Sequence, residues 1–118
     1  LVSPDLIRRV LSAAEEHGAA VPVLPVVDTL RYLENGFLRP EVLPRAGLVA
    51  MQTPQGFRRE LLLPALQACD ADLPDDAAAL LSQGIPVAAV LGDPKNIKIT
   101  YPEDLALAEL LFRAKASP

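Results

Sequence analysis

Val87-Ala88-Ala89-Val90-Leu91, then Gly92-Asp93-Pro94-Lys95-Asn96-Ile97-Lys98-Ile99-Thr100-Tyr101, then Pro102-Glu103-Asp104-Leu105 reads as a strand, an extended passage and a helix start in succession. The first five residues are an unbroken apolar run bounded by turn formers, which marks a buried strand. Proline followed by two acids opens a helix, because proline suits the first helical position and carboxylates suit the positive end of the helix dipole. Between them, Lys98 and Thr100 stand two residues apart, so an extended backbone carries both to one side. An ammonium and a hydroxyl beside a helix N-terminus suit a phosphate oxygen. The passage therefore points to chemistry on a phosphorylated small molecule. A lysine flanked by Ile97 and Ile99 also fits a sheet edge facing solvent, and pattern alone leaves both readings open.

The same alternation of strand and helix runs through the chain. Ser3-Pro4-Asp5 opens a helix whose stripe is Leu6, Ile7, Val10, Leu11 and Ala14, and Gly18 ends it. Val21 to Val27 fits a strand, which Pro22 and Pro25 push toward an edge or a break. Leu48 to Gln52 fits another short strand. Thr53-Pro54 is read as the cap of a helix reaching about Ala68, with Pro64 as a break or kink. Pro74-Asp75-Asp76 starts a third helix ending near Gly84. Pro102 to Ala114 is the last, with Leu105, Ala108, Leu111 and Phe112 as its buried face. Alternating elements predict an α/β layer fold with a largely parallel sheet.

One segment breaks the alternation. Thr29 to Pro44 is more polar, and Asn35-Gly36 within it is the strongest short hairpin signal. Leu30, Tyr32 and Leu33 on one side, Phe37, Leu38, Val42 and Leu43 on the other, would form a protruding two-stranded arm. An isolated hairpin is marginal in water, so its apolar residues need cover from the domain or from a second subunit.

Composition narrows the functional classes. The chain has 118 residues, 51% of them hydrophobic but only 4% aromatic, so one aliphatic core is expected. A net charge of −4 argues against a general nucleic-acid binder. A single cysteine, Cys69, excludes an intrachain disulfide, and with one histidine, His17, a His/Cys zinc site is not expected. No apolar run is long enough to span a membrane, and no signal peptide is apparent, so a reducing, cytoplasmic setting is expected. Neither glycine-rich phosphate loop nor a nucleophile elbow is present. His17 fits a helix end facing the dipole, and Cys69 fits an inert thiol. Asp75-Asp76 offers hard oxygen ligands to a divalent metal, but helix capping is the better reading. Arg45, in a Pro-Arg-Ala-Gly loop, and Thr29, after Asp28, read on their own as loop residues.

Taken in order, five segments carry a resemblance. They are Val26-Val27-Asp28-Thr29, Arg45-Ala46-Gly47-Leu48, Gln52-Thr53-Pro54-Gln55-Gly56-Phe57, Asp75-Asp76-Ala77, and Asn96-Ile97-Lys98-Ile99-Thr100 with Pro102-Glu103-Asp104-Leu105. In this order the chain resembles the C-terminal half of the 2-C-methyl-D-erythritol 4-phosphate cytidylyltransferases. The resemblance implies a Rossmann-like nucleotidyltransferase fold, a three-layer sandwich with a β-hairpin dimerisation arm at about 28–47. It implies transfer of a cytidylyl group from CTP to the polyol phosphate, releasing pyrophosphate, in non-mevalonate isoprenoid synthesis, with Mg²⁺. It assigns Lys98 to hold the attacking phosphate, Arg45 to orient it, and Thr29, Thr53 and Thr100 to the substrate site. Arg45 and Thr29 would reach a neighbouring subunit's site, in a homodimer with exchanged arms. Pro74 and Tyr101 depart from the family pattern at helix caps.

The resemblance places the CTP loop and the metal-contacting segment upstream of Leu1. Residues 1–118 are thus expected to form half of a single domain, inactive alone, with the Mg²⁺ ligands elsewhere. An intact mass near twice 12.6 kDa would mark the longer polymer. Alternatives are a ribitol- or other polyol-phosphate cytidylyltransferase and a non-catalytic dimerisation or phosphate-binding fragment.

Overall fold

The computed structural model describes residues 1–116, apart from the side chain of Ala116. Helix α1 spans Pro4–His17 and begins as its sequence dictates: Ser3 Oγ accepts the Leu6 amide at 3.1 Å, and Pro4 occupies the first turn. It ends at Gly18, whose φ of 95° lets its amide close back on the Ala14 carbonyl at 2.7 Å. His17 lies in the last turn, as its sequence position implied.

Strand β1 (Ala19–Pro25) is the centre of the sheet, not an edge. On one side it pairs in parallel with β6 (Ala88–Leu91). On the other side it pairs antiparallel, first with β5 (Gly56–Phe57) and then with β4 (Val49–Met51). The sheet is therefore mixed, with one parallel pair where a largely parallel sheet was expected. Pro22 is tolerated at the centre because of this division of partners. Its carbonyl accepts from the Gln52 amide at 2.8 Å, so its amide nitrogen, on the same side, falls in the seam between β5 and β4. No ladder donor is required of it there.

Alternation along β1 gives each face its own core. Ala20, with Ala88 and Val90, meets Leu6, Val10 and Ala14 of α1. Ala19, with Val87, meets α2 (Arg59–Gln67) and α3 (Asp76–Leu81) through Ala65, Ala79 and Leu80. Helices thus cover both faces, which is the expected three-layer order. Small residues allow close approach: a Cβ at Gly56 would stand 2.9 Å from Val10 Cγ1.

Three boundaries differ from the sequence reading. Thr53-Pro54 caps no helix: its peptide bond is cis, β5 follows, and α2 begins only at Arg59. Gly56 and Phe57 pair with Ala20 and Ala19 of β1, and that tertiary pairing overrides the helical pattern. Pro64 lies inside α2 without ending it, and the carbonyl it leaves without a helical donor belongs to the exposed Glu60, within reach of water. Lys98 to Thr100 form no ladder, so that passage is irregular chain and not the end of a strand.

The arm is present but small. Strands β2 (Leu33–Glu34) and β3 (Phe37–Leu38) pair antiparallel across Asn35 (φ 52°) and Gly36 (φ 82°). Arg39 braces it, stacking 5.2 Å from the Tyr32 ring centroid and pairing with Glu41. Its apolar side chains are uncovered: Leu33, Phe37, Leu38 and Val42 are all more than two-thirds exposed. Helix α4 (Pro102–Ala116) is also sparsely covered. Of its expected buried face, Ala108 and Leu111 are half-buried, whereas Leu105 and Phe112 are exposed. Apolar residues fall all around α4, so periodicity alone does not select one buried face.

Candidate functional site

Two loops meet at the ends of β4 and β6. The first, Gln52 to Gln55, leaves β4. The second, Gly92 to Thr100, leaves β6. The Gln52 side chain joins them: its Nε2 donates to the carbonyls of Asp93 (2.9 Å) and Asn96 (3.1 Å), and its Oε1 accepts the Asp93 amide (3.1 Å). Asn96 answers with Nδ2 donating to the Thr53 carbonyl at 2.6 Å. Gln55 links the first loop to α3, donating to Asp75 Oδ2 (3.0 Å) and accepting the Ala77 amide (3.3 Å). Asp75 Oδ1 accepts the Ala78 amide at 3.0 Å, so the capping role chosen for this residue is the one observed.

These loops border a cavity of about 530 Å³ lined by Thr53, Gln55, Asp75, Asn96 and Lys98, with Leu24 and Met51 as apolar walls. Its size suits a small polar ligand. Lys98 and Thr53 are thus brought together. The exposed Lys98 ammonium has no hydrogen-bond or ion-pair partner among the described residues, so its donors remain free for an anion.

Thr100 is exposed and outside this lining, and its Oγ1 donates to the Lys98 carbonyl at 3.4 Å. The backbone entering α4 is tied to the helix beside it. Asp104 Oδ2 accepts the amides of Thr100 (2.8 Å) and Tyr101 (2.9 Å). Asp104, the third residue of α4, therefore ties down the two amides that precede the helix, as the acid of a capping box does. The Tyr101 amide first, then that of Thr100, holds the Asp104 carboxyl below its ordinary range. A depressed folded pKa favours the folded helix start above the unfolded pKa, and that benefit disappears as pH falls through the folded value. Protection of the Thr100 and Tyr101 amides, each rate taken relative to its intrinsic value at the same pH, is therefore expected to fall on acidification below about pH 4. Asp104→Asn should flatten the profile, and an unchanged profile in that variant would remove Asp104 as the cause.

Arg45 and Thr29 stand at the base of the arm and outside the Lys98 cavity. Arg45 Nη1 donates to the Val27 carbonyl at 2.7 Å, closing the base two residues before Thr29, and both residues are exposed. Within one chain the structure therefore makes two groups of the five candidate positions: Lys98 with Thr53, and Arg45 with Thr29, while Thr100 stays close to Lys98 along the chain.

Gln52, Gln55 and Asn96 escaped the sequence reading as functional groups. Their signal was an uncharged amide in each of two short polar segments next to apolar strands. Such a side chain both donates and accepts, so it can tie two loops without burying a charge. Among the described residues no three His, Cys, Asp or Glu side chains are grouped to hold a metal ion. No helix among them is long and apolar enough to cross a membrane.

Comparison with known proteins covers nearly the whole chain. The sequence profile of the 2-C-methyl-D-erythritol 4-phosphate cytidylyltransferases matches residues 1–114. The enzyme of that name from Deinococcus radiodurans is 48% identical over 113 residues, which are 93% of this chain and 48% of the relative. The "Bifunctional enzyme IspD/IspF" of Dinoroseobacter shibae is 44% identical over 98% of this chain and 28% of the relative. The crystal structure of 2-C-methyl-D-erythritol 4-phosphate cytidylyltransferase from Thermus thermophilus superposes with a TM-score of 0.86 at 46% identity, covering 96% of this chain and 57% of that one. The chain thus spans about half the length of the single-function relatives it matches.

Proposed function

The chain belongs to the 2-C-methyl-D-erythritol 4-phosphate cytidylyltransferase family and has its Rossmann-like α/β fold, and from that premise we propose that it forms the acceptor-phosphate half of such an enzyme. The reaction joins a phosphate oxygen of 2-C-methyl-D-erythritol 4-phosphate to the α-phosphorus of CTP. The bond from that phosphorus to the bridging oxygen of the β-phosphate breaks, and pyrophosphate leaves. No covalent enzyme intermediate is required, so catalysis rests on positioning and on neutralising charge. The free Lys98 ammonium on a cavity of about 530 Å³ is the observation that carries this reading. Lys98 holds the attacking phosphate, with Thr53 and Thr100 beside it. The ribitol- and other polyol-phosphate readings gain no support from the named relatives.

Arg45 and Thr29 complete the site from a second copy in this proposal, as a homodimer with exchanged arms. The uncovered arm side chains and the separation of this pair from the cavity lining support that arrangement. Mg²⁺ is proposed with ligands contributed by other parts of the enzyme, and the setting is proposed to be the cytoplasm. The test is pyrophosphate release from CTP and methylerythritol phosphate by the protein at the full length of its relatives, with sedimentation on the same sample. Turnover and a dimer are expected. No release would refute the activity, and a monomer at micromolar concentration would refute the arm exchange.

A further inference from the structure

We infer that Gln52 is a positioning residue for Lys98, acting through a reciprocal amide clasp with Asn96. The inference rests on the function proposed above for Lys98. The clasp itself consists of bonds in both directions between the two loops. Gln52 donates to the carbonyls of Asp93 and Asn96 and accepts the Asp93 amide, while Asn96 donates to the Thr53 carbonyl. Three of the four hydrogen-bonding sites of the Gln52 amide are thus filled by the backbone that leads into Lys98. The Gln52 backbone amide is fixed in turn to the Pro22 carbonyl of the central strand at 2.8 Å. A rigid path therefore runs from β1 through Gln52 to Asn96, two residues before Lys98.

Gly92 is part of the same device. A Cβ there would overlap Gln52 Oε1 and stand 3.2 Å from the Val23 carbonyl oxygen. The glycine makes room for the amide, and the Gly92 amide bonds that same Val23 carbonyl at 2.8 Å. Without the clasp, the irregular passage from Asn96 to Thr100 is held only at its far end, where Asp104 accepts the Thr100 and Tyr101 amides, and the backbone that carries Lys98 is no longer tied beside Thr53. Positioning of this kind acts on the chemical step, since a displacement of about 1 Å can cost about 10²-fold in rate.

The experiment uses the full-length enzyme with Gln52→Glu and Gln52→Leu. The glutamate keeps the shape and the acceptor for the Asp93 amide, but it turns an oxygen toward the carbonyls of Asp93 and Asn96. Each variant is expected to lose about 10- to 10²-fold in kcat/KM for methylerythritol phosphate. The loss should fall on kcat and the acceptor KM, with the CTP KM unchanged. The bonded backbone amides of Asp93, Lys95 and Asn96 should exchange faster, by about tenfold, through local opening. Wild-type kinetics in Gln52→Glu would overturn the inference. So would a loss that disappears when each variant is assayed equally far below its own thermal midpoint, which marks a purely structural role. Unchanged exchange at Asp93, Lys95 and Asn96 would sink the clasp by itself. A wild-type enzyme without cytidylyl transfer would instead refute the proposed function and leave the exchange result to judge the clasp.

Discussion

Replacing Lys98 with alanine in the full-length protein is expected to lower kcat/KM for cytidylyl transfer about 10²- to 10³-fold, the usual cost of deleting one preorganised charge-stabilising donor. Folding should be almost untouched. The Lys98 side chain is exposed, lies in no regular element and makes no hydrogen bond or ion pair among the described residues, so its removal leaves no orphaned partner. Substitutions at such positions change stability by about 0.5 kcal/mol or less. A large kinetic loss with an unchanged thermal midpoint therefore separates site chemistry from architecture. Lys98→Arg should recover only part of the rate, because a planar fork does not place its donors where a compact ammonium does. Unchanged kinetics in Lys98→Ala would remove the residue from the assignment.

Leu6→Ala should have the opposite signature: a destabilisation of about 2–5 kcal/mol, the range for emptying a fully buried leucine. Leu6 is 0% exposed and packs with Val10, Ala14 and Ala20. Its neighbours are largely alanines and valines, short side chains that cannot swing in to fill the space. The cavity should persist, which places the cost toward the upper part of the range. Urea unfolding reads the effect as a lower midpoint at unchanged slope. Since whole domains are stable by only about 5–15 kcal/mol, the variant would be near its threshold. A shift below about 1 kcal/mol would mean that the α1 layer repacks or contributes little to the folded state.

The sequence was most legible where one residue type has one conformational use. Ser3, Pro4 and Gly18 bound α1 as expected, and Asn35-Gly36 made a turn with two positive φ angles because few other pairs accept that backbone. It was least legible where distant chain decides. Nothing local in Gln55-Gly56-Phe57 marks a strand, since the pairing that makes one comes from Ala19 and Ala20. Pro22 reads as a strand breaker until β5 and β4 are seen to divide one side of β1 between them. The site was half legible. Lys98 could be singled out as a cation in an apolar passage, but the amides that hold its loop make contacts over about forty residues of chain, which no periodicity records. Asp104 shows the limit of a local motif: one of the two acids that mark the helix start bonds the Thr100 and Tyr101 amides, which no pattern distinguishes.

The base of the arm has a separate consequence. Val26, just past β1, donates to the carbonyl of Leu48, just before β4, at 3.5 Å, so residues 27–47 depart and return at one place on the sheet. That excursion is a closed circuit with respect to the register of β1 and β4. Doubling such a circuit costs only about 0.6 kcal/mol of closure entropy. Its length and tip chemistry are therefore free to diverge while the platform beneath stays fixed, so the tip of the excursion and the geometry of the Lys98 cavity form two separately adjustable traits of one chain.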